Sequence, residues 1–325
     1  MSRYVKQGLP YLVEGFLLSL QAEGKAPRTY EYYSKLLQHF LRYIADEHWD
    51  TDINQLDTRQ MREFLSYVAS RNYEYSAGNG ARIVKRSKPT AAWPYFRALR
   101  RLFNWAIEEG LIEESPIAKI HFKAPNAAPI EPYSQSDLKK LLSQCDLDIK
   151  SGSRFTGVRN RAMLLLFLDS GIRKAEMAGL KLKQLNLKDK TLTVIGKGSK
   201  VGIVPFCPKT AKAIWFYLAE REARAKCDYL WITEEGKAIS IDGIDSWFNR
   251  LKSRAGVTTS GCLHKLRHTA ALQYLKGAHD SFLLQLFLRH KSLEMSRRYT
   301  QGLKVEEAII AHRNGASPVE QLGLH

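Results

Sequence analysis

The residues best suited to chemistry lie near the end of the chain, between His264 and Tyr299. His264 and Arg267 are three positions apart, so they share one face if this stretch is helical. His290 follows, and Tyr299 comes nine residues later, directly after two arginines. Together these groups can hold a phosphate diester and offer it a phenolic nucleophile. Taken one at a time, each is equally compatible with an ordinary packed or surface side chain.

Helices are predicted to carry these groups, because apolar residues recur among them at roughly helical spacing. The apolar residues are Leu266, Ala270, Leu272, Tyr274, Leu275, Leu283, Leu286 and Phe287. This spacing places the histidine and arginine side chains on packed helices rather than on a mobile tail. His268 follows Arg267 directly, so we expect it to point away from the active face and to be structural.

A second cationic pattern lies about 90 residues upstream. Arg159 to Asp169 is rich in apolar residues and predicts a helix, which ends at Gly171. Arg173 and Glu176 then open another short helix. Arg173 is a candidate phosphate ligand, and an ion pair between these two side chains is the structural alternative.

A basic turn lies between two predicted strands, Thr191–Ile195 and Val201–Pro205. The residues that join them are Gly196-Lys197-Gly198-Ser199-Lys200. Glycines on both sides of a lysine, between two runs of β-branched residues, predict a β-hairpin. Such a hairpin presents its lysines at the tip.

The charge of the chain favours a polyanionic partner. The 325 residues include 50 Lys and Arg against 33 Asp and Glu, which gives a formal net charge of +17 and a pI near 9.6. Nucleic acid is the simplest partner for such an excess. We expect no membrane association, since there is no apolar run of about 20 residues and no signal-peptide pattern. The four cysteines form no CxxC pair, so neither a metal site nor a disulfide framework is predicted.

The first part of the chain is predicted to be helical. Apolar stripes indicate helices over Tyr11–Gln21, Thr29–Glu47 and Ala91–Glu109, and Asp57 is a plausible N-cap for another between the last two. Ser76–Ser87 contains Gly-Asn-Gly followed by cations, and is predicted to be a loop with a basic flank.

Seven cations give this helical unit a basic side and are candidate DNA-binding residues. They are Arg82, Lys85, Arg86, Lys88, Arg97, Arg100 and Arg101. Lys200, in the turn between the two predicted strands, is a further candidate. Cations beside a groove bind phosphates without reading base sequence. A generic helical bundle with a solvated charged face is the alternative.

Four prolines between residues 111 and 132 predict a semi-extended connector. The sequence therefore divides into a helical domain at 1–110, a linker at 111–132 and a second domain at 133–325 that includes a C-terminal tail. Ser134 is predicted to cap the first helix of the second domain. The expected fold is mainly α, with a small β-sheet in the second domain.

Four of these patterns occur in one order along the chain. They are Gly171-Ile172-Arg173-Lys174-Ala175-Glu176, the Lys197 turn, His264-x-x-Arg267, and His290 with Tyr299. In this order they resemble the tyrosine recombinase (phage-type integrase) family, and the length and layout are similar to those of Xer-like and simple integrases. The resemblance covers nearly the whole chain. It implies a helical, SAM-like core-binding domain followed by a catalytic domain.

The resemblance implies that Arg173 and Arg267 clamp the scissile phosphate. Two guanidiniums, fork-shaped and always charged, match the equatorial oxygens of a phosphorus under attack. Glu176 is expected to orient nearby groups from behind. Two positions depart from the family pattern: Arg289 stands where glycine is usual, and Lys265 stands where neutral or acidic residues are common.

By the same resemblance, Tyr299 attacks the phosphate, forms a 3′-phosphotyrosyl enzyme and frees a 5′-hydroxyl. With an ordinary pKa near ~10, its phenol needs a proton acceptor. His264 is a reasonable one, with His290 bonded to the phosphate or the phenol. Lys197 fits the acid that protonates the leaving oxygen, and Lys200 is its rival. One ester replaces another, so no metal or nucleotide cofactor is required.

The preferred function is a site-specific DNA recombinase that acts as a tetramer on two duplex sites and is a monomer when free. We expect a reduced, cytoplasmic protein associated with the nucleoid. A type IB topoisomerase would use the same chemistry without strand exchange. A catalytically silent DNA-binding regulator or a basic RNA-binding module would explain the charge, but neither would explain the full set of six catalytic residues.

Overall fold

The computed structural model describes residues 8–76, 82–125, 131–196, 201–278 and 280–289. The chain divides into two compact units, Met1–Ala127 and Ala128–His325. Both are mainly helical in their described parts, and each carries a small antiparallel sheet.

The first unit is built on four α-helices among its described residues. They are α1 (Leu9–Ala22), α2 (Pro27–Asp46), α3 (Thr58–Ser70) and α4 (Ala92–Glu108). Pro27 begins α2, where its fixed φ suits the first turn and its missing N–H is not needed. Asp57 caps α3 through a reciprocal pair of bonds with Gln60, at 2.8 and 2.9 Å.

Aromatic side chains dominate the core of this unit. Phe16, Phe40, Phe64 and Phe103 are fully buried, and the rings of Phe40 and Phe64 lie 4.7 Å apart between centroids. The same core also takes in three apolar residues from beyond α4. These are Leu111, Ile112 and Ile117. The packing of the first unit therefore continues into the segment for which the sequence predicts a linker.

A β-hairpin lies between α3 and α4, and the prediction of a loop at Ser76–Ser87 is wrong. Strands β1 (Asn72–Ser76) and β2 (Arg82–Arg86) pair antiparallel, with Asn72 opposite Arg86 and Ser76 opposite Arg82. Gly-Asn-Gly between two runs of aromatic and β-branched residues is a hairpin signal as well as a loop signal. The residues between the strands, 77–81, lie outside the described part of the chain.

The second unit contains seven α-helices and three strands among its described residues. The helices are α5 (Gln135–Lys150), α6 (Arg154–Ser170), α7 (Lys174–Gly179), α8 (Pro208–Glu222), α9 (Ile241–Arg254), α10 (His264–Ala278) and α11 (Ser281–Leu288). The strands are β3 (Leu185–Asn186), β4 (Thr191–Ile195) and β5 (Val201–Pro205). They form an antiparallel sheet in the order β3-β4-β5, in which Val194 pairs with Gly202.

Helix α6 is the centre of this unit. It packs against α5, α8 and α10, and it is buried around most of its circumference, as expected for a helix whose apolar residues are not confined to one stripe. Ser134 caps α5 by accepting a 3.1 Å bond from the Asp137 N–H, as the sequence predicts.

Crossing a bilayer requires a helix that is both long and apolar. No helix in the described part of the chain meets both requirements.

Candidate active site

Arg267 is the most deeply buried of the candidate catalytic residues that the structure describes. It lies on α10 and is 3% exposed. Its Nη1 donates to the carbonyl of Gly171, and its Nη2 donates to the carbonyl of Leu288 at 2.6 Å. A buried cation is tolerated only when it is hydrogen-bonded, and carbonyl oxygens orient a guanidinium without cancelling its charge.

Tyr133 fixes the first turns of α10. Its N–H donates to Thr269 Oγ1 at 2.9 Å, and its hydroxyl donates to the Gly261 carbonyl at 3.0 Å. Burial raises the pKa of Tyr133 to about 12, so the phenol keeps the proton that it donates. Lys265 bonds to the Ser260 carbonyl and lies 5.2 Å from the centroid of the Tyr133 ring. The unusual lysine of this motif is thereby engaged away from the Arg267 guanidinium.

Arg173 reaches the same place from the N-terminal end of α7. Its side chain is 37% exposed, and its Nη1 donates to Glu176 Oε1 at 2.7 Å. Its Nη2 donates to the Arg289 carbonyl at 3.0 Å and, at the long limit of 3.5 Å, to the Leu288 carbonyl. Arg173 and Arg267 therefore share the Leu288 carbonyl, and they converge at the C-terminal end of α11.

Glu176 is hydrogen-bonded to two of the cations of this site, Arg173 and Arg289. Its side chain is 5% exposed, and its Oε2 accepts from the Arg173 backbone N–H at 2.9 Å and from Arg289 Nη2 at 2.8 Å. Burial by itself would raise the pKa of this carboxyl, but the charge of Arg289 and the bonds from Arg173 outweigh it, and the pKa is lowered. Glu176 is therefore an anion in the folded protein at neutral pH.

Two residues in the left-handed backbone region shape the site. Gly171 ends α6 with φ +55°, and a Cβ there would lie 3.0 Å from Leu288 Cδ2. Arg289 ends α11 with φ +53°. Burial lowers the pKa of the Arg289 guanidinium, although Glu176 acts in the opposite direction. Its Nη1 also donates to the Phe287 carbonyl at 3.2 Å.

His264 begins α10 and is exposed. A cavity of about 350 Å³ brings it together with Arg267 and with Lys174, which is paired with Asp245. The ring of His268 lies 4.5 Å from that of His264, edge to face. Residues four apart on a helix share a face, which accounts for this contact. That His268 points away from the active face stays a prediction.

Four of the predicted site residues lie outside the described residues. They are Lys197, Lys200, His290 and Tyr299. By chain position, the two lysines belong to the connection between β4 and β5, and His290 directly follows Arg289. The other predicted site residues of the second unit lie in the described part of the chain. The structure brings these four together: Arg173, Glu176, His264 and Arg267.

The predicted DNA-binding cations lie on the surface of the first unit. Arg82, Lys85 and Arg86 belong to β2 and Lys88 follows it, and all four are exposed. The remaining cations, Arg97, Arg100 and Arg101, lie on α4. Arg97 and Arg100 are exposed, whereas Arg101 is half-buried and lies 3.6 Å from a Glu23 carboxylate oxygen.

Sequence reasoning did not assign a role to Arg289, Lys174 or Asp245. Arg289 carried one usable signal, namely a cation at a helix C-terminus where glycine is favoured. Lys174 stands directly after a motif residue, but its partner Asp245 is 71 positions away and no local pattern connects them.

Comparison with known proteins shows the family to which the chain belongs. The sequence profile of the phage integrase family matches residues 133–306, and that of the phage integrase N-terminal SAM-like domain matches residues 12–113. Because the first match alone covers more than half of the chain, the protein belongs to the phage integrase family. It is thus an enzyme of the tyrosine recombinase type.

Similar proteins extend over nearly the whole chain. It is 25% identical over 300 residues to tyrosine recombinase XerD of Listeria monocytogenes serotype 4b, covering 90% of this chain and 95% of that protein. It is 29% identical over 276 residues to tyrosine recombinase XerC of Escherichia coli O6:K15:H31, covering 81% and 90%. The crystal structure of a lambda integrase tetramer bound to a Holliday junction has the same fold, with a TM-score of 0.68, 17% identity and coverage of 91% and 79%.

Proposed function

We propose that this protein is a site-specific DNA recombinase that cuts and rejoins strands through a 3′-phosphotyrosyl intermediate at Tyr299. One observation carries the proposal. Two arginines from separate helices, Arg173 and Arg267, are bonded to the same main-chain carbonyl, that of Leu288, two residues before His290. A pair of guanidiniums fixed in this way suits one phosphate group.

The arginines supply the electrostatic part of the reaction. As a nucleophile adds to phosphorus, the equatorial oxygens gain negative charge, and fixed donors aimed at that charge lower the barrier. Arg267 is held by carbonyls and is buried, so it does not have to reorganise when the charge develops. Arg173 is 37% exposed and can turn a face of its guanidinium toward DNA.

The covalent step is a transesterification. The phenolate oxygen of Tyr299 forms a bond to phosphorus, the bond to the 5′-oxygen breaks, and that oxygen leaves as a hydroxyl after gaining a proton. His264 accepts the phenol proton, and His290 bonds to the phosphate or the phenol. Lys197 donates the proton to the leaving oxygen, with Lys200 as the rival donor. Attack by another 5′-hydroxyl reverses the step and restores the tyrosine.

Double-stranded DNA is the substrate, and the basic surface of the first unit holds it. Arg82, Lys85, Arg86 and Lys88 on and after β2, together with Arg97, Arg100 and Arg101 on α4, bind its phosphates. A homotetramer on two duplex sites is the acting form, with a monomer when free. The tetramer of lambda integrase on a Holliday junction and the Xer relatives support this. We place the protein in the cytoplasm, associated with the nucleoid.

Substitution of Tyr299 by Phe tests the proposal. The variant differs from wild type only by the phenol oxygen, so it should bind a cognate DNA site as wild type does and form no covalent adduct. Binding is measured by titration, and adduct formation is measured on a nicked suicide substrate under denaturing electrophoresis. An adduct at wild-type level in the variant would overturn Tyr299 as the nucleophile.

Wild type and the Tyr299→Phe variant also distinguish recombination from simple relaxation of DNA. Wild type should produce exchanged strands only when two sites are supplied, and Tyr299→Phe should produce none. Relaxation of supercoiled DNA that needs no paired sites, without strand exchange, would favour the topoisomerase alternative.

A further inference from the structure

Arg289 occupies a backbone conformation that disfavours it. Its φ of +53° lies in the left-handed region, where a side chain crowds the following carbonyl and glycine is preferred. This conformation ends α11 and aims the carbonyls of Leu288 and Arg289 at the two candidate catalytic arginines. Glycine would make the same turn with less strain, so the arginine side chain must contribute something that glycine cannot.

The contribution begins with Glu176. The Arg289 guanidinium donates to Oε2 at 2.8 Å, while Arg173 donates to Oε1 at 2.7 Å. One nearly buried carboxylate thus serves two guanidiniums. Arg173, Arg267 and Arg289 with Glu176 amount to three cations and one anion, so the site retains an excess of two positive charges for a phosphate.

A second contact connects Arg289 to the hairpin of the second unit. Gly202 lies on β5, and a Cβ at this position would be 2.8 Å from Arg289 Cδ and 3.5 Å from Val194 Cγ2. The first distance is too short for any carbon, while the second is an ordinary contact. The end of the Arg289 side chain is held by Glu176, so its middle cannot move aside without loss of that pair. Gly202 therefore leaves the space through which Arg289 reaches Glu176.

We propose that Arg289 is a positioning residue that joins strand β5, Glu176 and the end of α11, and thereby holds Arg173 in its reactive orientation. This inference rests on the proposed function. It adds that Gly202 and Arg289 act as one pair. A larger side chain at position 202 should therefore have the same effect as loss of the Arg289 side chain.

A double-mutant cycle with Gly202→Ala and Arg289→Gly tests the pair in the full-length protein. The readout is the single-turnover rate of adduct formation on a nicked suicide substrate at saturating DNA, per folded molecule, with DNA affinity measured separately. Arg289→Gly should lower the rate about 10–100-fold, the scale of a small misplacement of a catalytic group, with affinity changed less than about twofold. Gly202→Ala alone should lose a similar amount.

The double variant should be no slower than either single variant, because removal of the Arg289 side chain removes the 2.8 Å clash and leaves the added methyl group at an ordinary 3.5 Å from Val194 Cγ2. Arg289→Lys, which keeps a cation for Glu176, should recover part of the rate. Gly179→Ala is the matched control: it lies on α7, and a Cβ there meets nothing within 4 Å. It should cleave at the wild-type rate.

Two outcomes would overturn the inference while wild type still forms its adduct. One is a rate within about twofold of wild type for Arg289→Gly. The other is independent losses that multiply in the double variant. If a variant lost folded protein but kept its rate per folded molecule, Arg289 would be structural only. Absence of any adduct with wild type would instead refute the proposed function, which keeps the two failures distinct.

Discussion

The two units bury different kinds of residue. Among the described residues, Ser115 is the only buried polar residue of the first unit, whose core is otherwise aliphatic and aromatic. The second unit buries charged residues in several places. They are Asp148, Arg159, Glu176, Arg221 and Arg267. Arg221, for example, donates to the carbonyls of Cys227, Tyr229 and Leu230.

We infer that this difference separates DNA binding from catalysis under the proposed function. Burying a charge is costly unless it is paired and hydrogen-bonded, so a protein keeps buried cations only where their positions must be fixed. The first unit leaves most of its candidate DNA-binding cations exposed, where they can neutralise phosphates and be screened by salt. Changes in the second unit should therefore alter the rate of the bound complex, and changes on the first unit should alter affinity.

The largest effect expected from the second unit concerns the proposed acid. Lys197→Ala should slow cleavage of an ordinary substrate by about 10²–10⁴-fold, the usual range for a positioned proton donor. A substrate with a 5′-thio leaving group needs little protonation, so it should be cleaved at nearly the wild-type rate. Lys200→Ala is the matched control. Equal losses of rate on both substrates would exclude Lys197 as the acid. If Lys200→Ala instead cleaved the ordinary substrate slowly and the 5′-thio substrate at nearly the wild-type rate, Lys200 would be the acid.

Arg267→Lys should lower the rate of adduct formation by about 10²–10³-fold at saturating DNA. A lysine has no planar fork, so it cannot reach both the Gly171 and Leu288 carbonyls and also face a phosphate. Affinity for DNA should change only a few-fold. Arg97→Lys on the first unit is the control and should leave the rate unchanged. A loss confined to affinity would contradict the separation of the two units.

Arg97→Gln with Arg100→Gln should weaken DNA binding and leave the rate of the bound complex unchanged. Removal of two phosphate-binding cations should reduce the magnitude of the slope of log affinity against log salt by about 1.8, or about 0.9 for each cation. The free energy of unfolding should change by less than about 0.5 kcal/mol, because both side chains are exposed. Titrations at several salt concentrations measure the slope. An unchanged slope would remove α4 from the DNA-binding surface.

The smallest effect is a pH dependence of stability carried by Glu176. Its pKa in the folded protein is lowered from the ordinary value of a glutamate side chain, so the carboxylate stabilises the fold at neutral pH, and this contribution is lost as pH falls through the folded pKa. The advantage of wild type over Glu176→Gln should thus be constant near neutrality and shrink below pH ~4.3. This advantage in the free energy of unfolding is measured by hydrogen exchange of the amides in α6, the helix at the centre of the second unit. If the advantage grew on acidification, the pKa of Glu176 in the folded protein would be raised rather than lowered.

Periodicity and turn chemistry were enough to predict much of the fold. The bounds of β4 and β5 agree with the prediction, and the helices agree to within a few residues, because each depends on neighbours in sequence. The order of the motifs likewise led to Arg173 and Arg267. The hairpin at β1 and β2 was missed, since the glycines that indicate a loop also serve a tight turn.

Other features depend on long-range packing that sequence spacing does not contain. Glu176 and Arg289 are 113 positions apart, and Lys174 and Asp245 are 71 apart. The strain at Arg289 is visible only once its φ is known. His268 is a different case, because its contact with His264 follows from helical spacing and could have been predicted.

The Leu288 carbonyl has a consequence for how the site tolerates mutation. A peptide oxygen is present whatever amino acid is encoded, so no replacement of the residue at 288 can delete the acceptor that Arg173 and Arg267 share. Only a change in the course of the main chain, such as an insertion or deletion in α11, can remove it. Substitutions at position 288 are therefore limited by the packing of the leucine side chain. The carbonyl oxygen that accepts from both arginines depends only on the path of the main chain.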